Sequence, residues 1–150
     1  MRICLVDDES SQLDYLKVLI EKWANKNNTD VLLHFYHSAE EMLFESNESY
    51  PFDMIVLDIQ MGKINGIELA KKIRNKDKFV IIAFISGIAD YVYEGYEVQA
   101  IRYLLKPVKV TEVNKLLDYA LEHVNKEKNY LVLSVSGENI KINYDDILYF

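Results

Sequence analysis

A second cysteine, a long apolar run and an excess of positive charge are all missing from this 150-residue chain. With Cys4 alone no intrachain disulfide can form, and its apolar surroundings in sequence suit a small buried hydrophobe better than a reactive thiol. No stretch approaches the roughly 20 apolar residues that a membrane-spanning helix needs. The opening, Met1-Arg2-Ile3-Cys4-Leu5-Val6-Asp7-Asp8, is too short in apolar residues for a signal peptide. A cytoplasmic location is therefore expected, and the N-x-S/T matches at Asn27 and Asn47 carry no meaning as glycosylation sites. The net charge of −7 gives no footprint for nucleic acid over the chain as a whole. It suits a divalent-cation site or simple solubility equally well. His34, His37 and His123 share no metal-binding spacing, and neither repeats nor low-complexity segments are evident.

What is present alternates between two periods. Short β-rich apolar segments occur at 2–6, 31–36, 53–57, 79–85 and 101–105. Helical patterns lie between them. After Ser10, the residues Leu13, Leu16, Ile20 and Trp23 recur at spacings of three and four. Segment 39–46 gives a short second helix, Asn65-Gly66 opens a third, and a fourth is expected around 89–97 despite Gly95. In the fifth, Val113, Leu116, Leu117, Ala120, Leu121 and Val124 make one stripe, with Thr111 as the expected N-cap. Five strands alternating with five helices predict an α/β, doubly wound fold with a parallel sheet covered on both faces. From Asn129 the helices stop. The run "NYLVLSVSGENIKINYDDILYF" predicts a strand, a turn at Ser136-Gly137-Glu138-Asn139, a second strand and the start of another apolar segment. Residues 1–128 and 129–150 are thus expected to belong to different domains, the second all-β and only begun.

In an open parallel sheet, ligands sit at the carboxyl ends of the strands near the point where strand order reverses. Asp7, Asp8 and Glu9 follow the first strand, Asp58 the third, Ser86 the fourth, and Lys106-Pro107 the fifth. Singly, each has a plain reading: a helix cap for Asp7 or Asp8, a loop hydroxyl, a solvated lysine. Together they make a site. Three carboxylates repel one another unless one protonates or a positive charge sits among them. Hard oxygen ligands suit Mg²⁺. Lys106 adds a point charge for an anion, Ser86 a hydroxyl, and Asp58 a carboxylate nucleophile able to form an aspartyl phosphate.

These residues resemble the receiver domain of two-component response regulators over residues 1–125 or so. The resemblance rests on "LVDDE", on Asp58 in "IVLDIQMGKINGIELAKKIR", on Ser86 in "AFISG" and on Lys106-Pro107 in "YLLKPV", in that order. It implies a flavodoxin-like fold with Asp58 as phosphoacceptor. It also implies Mg²⁺ held by Asp8, Asp58 and the Gln60 carbonyl, with Asp7 acting through water. Ser86 and Lys106 would contact the phosphoryl group, and Tyr103 would be the aromatic switch. A sensor histidine kinase would be the donor. A homodimer would form through the face of helix four, strand five and helix five, near Tyr91, Tyr93 and Tyr96. The tail resembles the start of a LytTR DNA-binding domain, with "DDILYF" as its marker. DNA binding would then belong to an output domain mostly beyond Phe150. The chain leaves the family pattern twice: Gly62 stands where proline is usual, and Gly87 where a small alanine is usual.

Two other readings use the same residues. A Mg²⁺-dependent phosphohydrolase would also form an aspartyl phosphate, but Gln60 occupies the place of the second aspartate in a "DxD" motif. A degenerate receiver would serve only as an interaction module, and the complete set of acids, acceptor and lysine speaks against it.

Overall fold

A computed structural model describes residues 1–45, 51–128, 130–135 and 138–143. Its elements run β1 (Arg2–Val6), α1 (Ser10–Lys26), β2 (Leu32–Tyr36), α2 (Ala39–Glu45), β3 (Met54–Asp58), α3 (Gly66–Lys76), β4 (Ile81–Ser86), α4 (Val92–Glu97), β5 (Arg102–Leu105) and α5 (Val110–Lys128). β6 (Tyr130–Val135) and β7 (Glu138–Asn143) follow. The first five strands form one parallel sheet in the order β2-β1-β3-β4-β5. This is a doubly wound topology, as the alternation of strands and helices predicts, with the flavodoxin-like strand order that the resemblance implies.

The unbroken apolar runs have a simple cause, because both faces of the central strands are buried. Alternate residues serve opposite cores. Ile3, Leu5, Met54, Val56, Ile81, Ala83 and Ile85 pack with α1 and α5 residues on one face. Cys4, Val6, Ile55, Leu57, Ile82 and Phe84 pack with α2 and α3 on the other. Each such aliphatic side chain contributes roughly 1.5–3 kcal/mol by leaving water, so β3 is rigid where it delivers Asp58.

Helix ends follow local chemistry. The Asn65 side chain accepts the Glu68 amide at 2.9 Å and starts α3. Ser38 Oγ accepts the Glu41 amide at 3.0 Å, and the Glu41 carboxylate accepts the His37 amide at 2.8 Å, locking the start of α2. The cap expected at Thr111 is corrected, and the plain reading of Asp7 or Asp8 as a cap does not hold. Lys109 supplies the carbonyl that accepts from both Glu112 and Val113 at 3.1 Å, so α5 begins at Val110 and Thr111 lies inside its first turn. Neither Asp7 nor Asp8 holds the cap position of α1, which falls to Glu9. The fourth strand also starts later than its sequence suggests. Asp77 Oδ1 accepts the amides of Phe79 and Val80 at 2.8 and 3.0 Å, which turns them out of the ladder.

α4 runs straight through Gly95, which is buried against the rings of Phe84 and Tyr103. β6 and β7 pair antiparallel, with Tyr130 opposite Asn143 and Val135 opposite Glu138. Of the expected turn, Glu138 and Asn139 already belong to β7. Residues 136–137 and the apolar stretch at 144–150 lie outside the described residues. Among the described residues no helix is long and apolar enough to cross a membrane.

Candidate functional site

Strand order reverses beside β1, whose neighbours are β2 on one side and β3 on the other. The carboxyl ends of β1 and β3 therefore open a crevice, and β4 and β5 close its far side. Asp7 and Asp58 are buried there at 2 % and 3 % exposure, and Ser86 is fully buried at 0 %. Asp8 remains exposed. One carboxylate oxygen from each of Asp7, Asp8 and Asp58 lies within 4.8 Å of the others.

Lys106 is the counter-charge. Its Nζ stands 3.6 Å from Asp7 Oδ2, from Asp58 Oδ2 and from Glu9 Oε1. Burial works against its charge, but Asp58, Asp7 and Glu9 outweigh that and raise its pKa. One lysine cannot neutralise this many acids. Burial, then repulsion from Asp7 and Asp8, pushes Asp58 up to about 7, with Lys106 and the Gln60 amide pulling the other way. Asp7 is raised too, mainly by burial, against the Glu9 amide and Lys106. The Glu9 amide donates to Asp7 Oδ1 at 2.9 Å. Asp58 Oδ1, by contrast, is buried with no hydrogen-bond partner among the described residues. A buried carboxylate oxygen left unpaired is costly unless something comes to it. Three clustered carboxylates and that orphaned oxygen fit a hard divalent cation such as Mg²⁺.

The loop after Asp58 is set by close approach. The Ile59 amide donates to the Ile85 carbonyl at 3.2 Å, and the Gly66 amide to the Ile59 carbonyl at 3.0 Å. Gly66 sits so near the acceptor that any Cβ there would collide with the Asp58 carbonyl oxygen. The Asn65-Gly66 pair was legible as a helix start, but this packing was not. Gly62 has φ +48, a left-handed turn. Proline, fixed near −65°, cannot take that conformation, so here the departure from the family pattern is a change in the hand of the turn. At Gly87 a Cβ would meet nothing within 4 Å, so the missing alanine methyl costs no packing.

Ser86 and Tyr103 converge on one residue. Ser86 Oγ accepts the Ile88 amide at 3.2 Å, and the Tyr103 hydroxyl donates to the Ile88 carbonyl at 2.6 Å. The Tyr103 ring, half-buried, lies 6.4 Å from that of Phe84. The Lys106–Pro107 peptide bond is cis. Gln60 lies in the exposed part of the loop, two residues past Asp58. Glu9, an acid at the first strand end, was not singled out as a site residue from sequence, yet it is a third carboxylate on Lys106. The tyrosines at α4 divide: Tyr93 and Tyr96 in the helix are 75 % and 81 % exposed, whereas Tyr91, just before it, is partly buried against the core.

Comparison with known proteins gives a consistent result. Residues 3–118 match the family described as response regulator receiver domain. The sensory transduction protein LytT of Oceanobacillus iheyensis is 36 % identical over 109 residues, covering 71 % of this chain and 42 % of that protein. The sensory transduction protein LytT of Bacillus cereus is 27 % identical, covering 99 % of this chain and 65 % of that protein. The chain thus spans less than two thirds of the length of either relative. The response regulatory domain of protein mrkE from Klebsiella pneumoniae shares the fold, with a TM-score of 0.72 at 23 % identity, over 81 % of this chain and 96 % of that one.

Proposed function

The chain belongs to the response regulator receiver domain family, and from that premise we propose that Asp58 is the phosphoacceptor of a signalling switch. The observation that carries this reading is the state of Asp58. It is buried at the end of a rigid central strand, with Oδ2 facing Lys106 at 3.6 Å and Oδ1 unpartnered.

The donor is a phosphohistidine on a sensor histidine kinase. An Asp58 carboxylate oxygen attacks its phosphorus, a P–O bond forms as the P–N bond breaks, and the imidazole leaves with the electron pair and takes up a proton. Asp7, Asp8 and Asp58, with the Gln60 carbonyl, are the groups that would hold Mg²⁺, which when bound supplies positive charge for the crowded anions. Lys106 sets its ammonium beside the transferring group, and Ser86 offers its O–H to a phosphoryl oxygen. When Ser86 turns to that oxygen it loosens its hold on the Ile88 amide. Tyr103 grips the same residue from the other side, so its inward turn is coupled to phosphorylation. In this way the chain catalyses its own phosphorylation, and attack of water on the acyl phosphate returns the Asp58 carboxylate with release of inorganic phosphate.

The exposed Tyr93, Tyr96, Leu105 and Val110 suit a homodimer face on α4, β5 and α5. Residues 1–128 form the receiver unit, and residues 129–150 begin a LytTR-type output domain that binds DNA; the similarity to LytT proteins supports this division. The cytoplasm is the compartment such a switch works in. Incubation with acetyl phosphate and Mg²⁺, followed by intact mass, tests the reading. One phosphoryl adduct, lost in Asp58→Ala, supports it. Continuous release of inorganic phosphate from phosphate esters favours a hydrolase, and no adduct from any donor reduces the chain to an interaction module.

A further inference from the structure

Between Ile59 and Gly66 the loop beside Asp58 buries Ile59 and Met61 but leaves Gln60, Gly62 and Lys63 exposed, and its middle is tied to a helix distant in sequence. Glu40, in the first turn of α2, accepts the Ile64 amide on Oε1 at 3.1 Å. Its two carboxylate oxygens also lie 3.7 and 3.9 Å from where a Cβ of Gly62 would stand, directly over the left-handed turn. Glu40 is itself well placed to hold still, because the Glu41 amide bond to Ser38 Oγ and the His37 amide bond to the Glu41 carboxylate fix the first turn of α2 on either side of it.

We propose that Glu40 is a positioning residue: its carboxylate holds the turn at Gly62 and so fixes the Gln60 backbone beside Asp58. The proline usual in the family would stiffen a turn of the other hand through its own ring, a route closed to the left-handed turn at Gly62. Here glycine adds no stiffness of its own, and a hydrogen bond from α2 supplements the anchoring by buried Met61 and by Ile64 against the core. The effect on chemistry is indirect, as for groups that orient a metal's ligands without touching the metal. This inference rests on the phosphoacceptor reading for its consequence, though not for its geometry.

The test compares wild type, Glu40→Ala and Glu40→Gln for Mg²⁺ affinity by calorimetry, Ile64 amide exchange by NMR, and thermal stability. Glutamine keeps the acceptor and loses the charge. Expected is a weakening of Mg²⁺ binding by roughly threefold to tenfold in Glu40→Ala, less than twofold in Glu40→Gln, and faster Ile64 exchange in the alanine variant alone. Unchanged Ile64 exchange or unchanged Mg²⁺ affinity in Glu40→Ala overturns the proposal. So does an equal loss in both variants, which would make Glu40 a through-space charge. If wild type binds no Mg²⁺, the metal-site reading fails on its own, and Ile64 exchange still decides whether Glu40 holds the turn.

Discussion

Buried Asp58 and half-buried Arg74 lie at opposite ends of the central strands, and they are treated in opposite ways. Arg74, near the end of α3, donates from Nε to the Val98 carbonyl at 2.7 Å and from Nη1 to the Val80 carbonyl at 2.5 Å. Longer bonds reach the carbonyls of Gln99 and Asp77 at 3.3 and 3.4 Å. Its fork thus closes the end of α3, the start of β4 and the α4–β5 connection into one joint. Among the described residues Asp58 keeps one oxygen without a hydrogen-bond partner, and it shares Lys106 with Asp7 and Glu9. A charge that serves the fold is saturated by the fold. A charge that serves chemistry is left short of partners, so that a ligand can complete it.

The comparison breaks first at the level of chemistry. Asp58→Ala should abolish the phosphoryl adduct altogether in intact-mass spectra, while Arg74→Met should still accept one. An Arg74→Met protein that folds but cannot be phosphorylated would contradict the division of labour. Next in size is Gly66→Ala, whose methyl would be forced against the Asp58 backbone. A loss of about 3 kcal/mol in urea unfolding is expected, from overpacking beside a fully packed strand. Arg74→Met should cost about 2 kcal/mol in the same assay, because it strands carbonyls that now share a cationic donor.

An effect of similar size to that of Arg74→Met, but of opposite sign, sharpens the contrast. Asp58 is raised from its ordinary 3.8 to about 7, so the folded state holds this proton more tightly than the unfolded chain does. Its ionisation therefore destabilises the fold progressively as pH rises from about 4 to about 7, and fully above that. Without Mg²⁺, Asp58→Asn should be more stable than wild type at pH 8, on the order of 2 kcal/mol, with the gain vanishing near pH 4. For the same reason Mg²⁺ affinity should fall as pH drops below about 7, where the proton competes with the cation. Titrations of the metal at pH 6 and pH 8 check this. A stability gain independent of pH would show that Asp58 is not held protonated by its surroundings.

Much of this was legible in the sequence, for identifiable reasons. β1, β3 and β4 announce themselves as apolar runs because both faces are buried, and the strand-end rule then gathers Asp7, Asp8, Asp58, Ser86 and Lys106 to one edge. What stayed hidden depends on contacts between distant segments. Nothing near Glu40 in sequence signals that it caps a loop 24 residues on, and nothing near Arg74 signals its reach to Val98 and Gln99. Thr111 looked like a cap because its residue type fits, but the helix begins earlier, where Lys109 provides the first accepting carbonyl. Phe79 looked like a strand residue, yet the Asp77 side chain captures its amide and leaves the ring 80 % exposed.

The central claim is that the unsaturated carboxylate of Asp58 is where the phosphoryl group lands. Borohydride reduction of the acetyl-phosphate-treated protein converts an acyl phosphate to the corresponding alcohol, which peptide mass spectrometry can place in the chain. Homoserine at position 58, and at no other aspartate, is the predicted result. Reduction at Asp7 or Asp8 instead, or an adduct that resists reduction because it sits on Ser86, would contradict it.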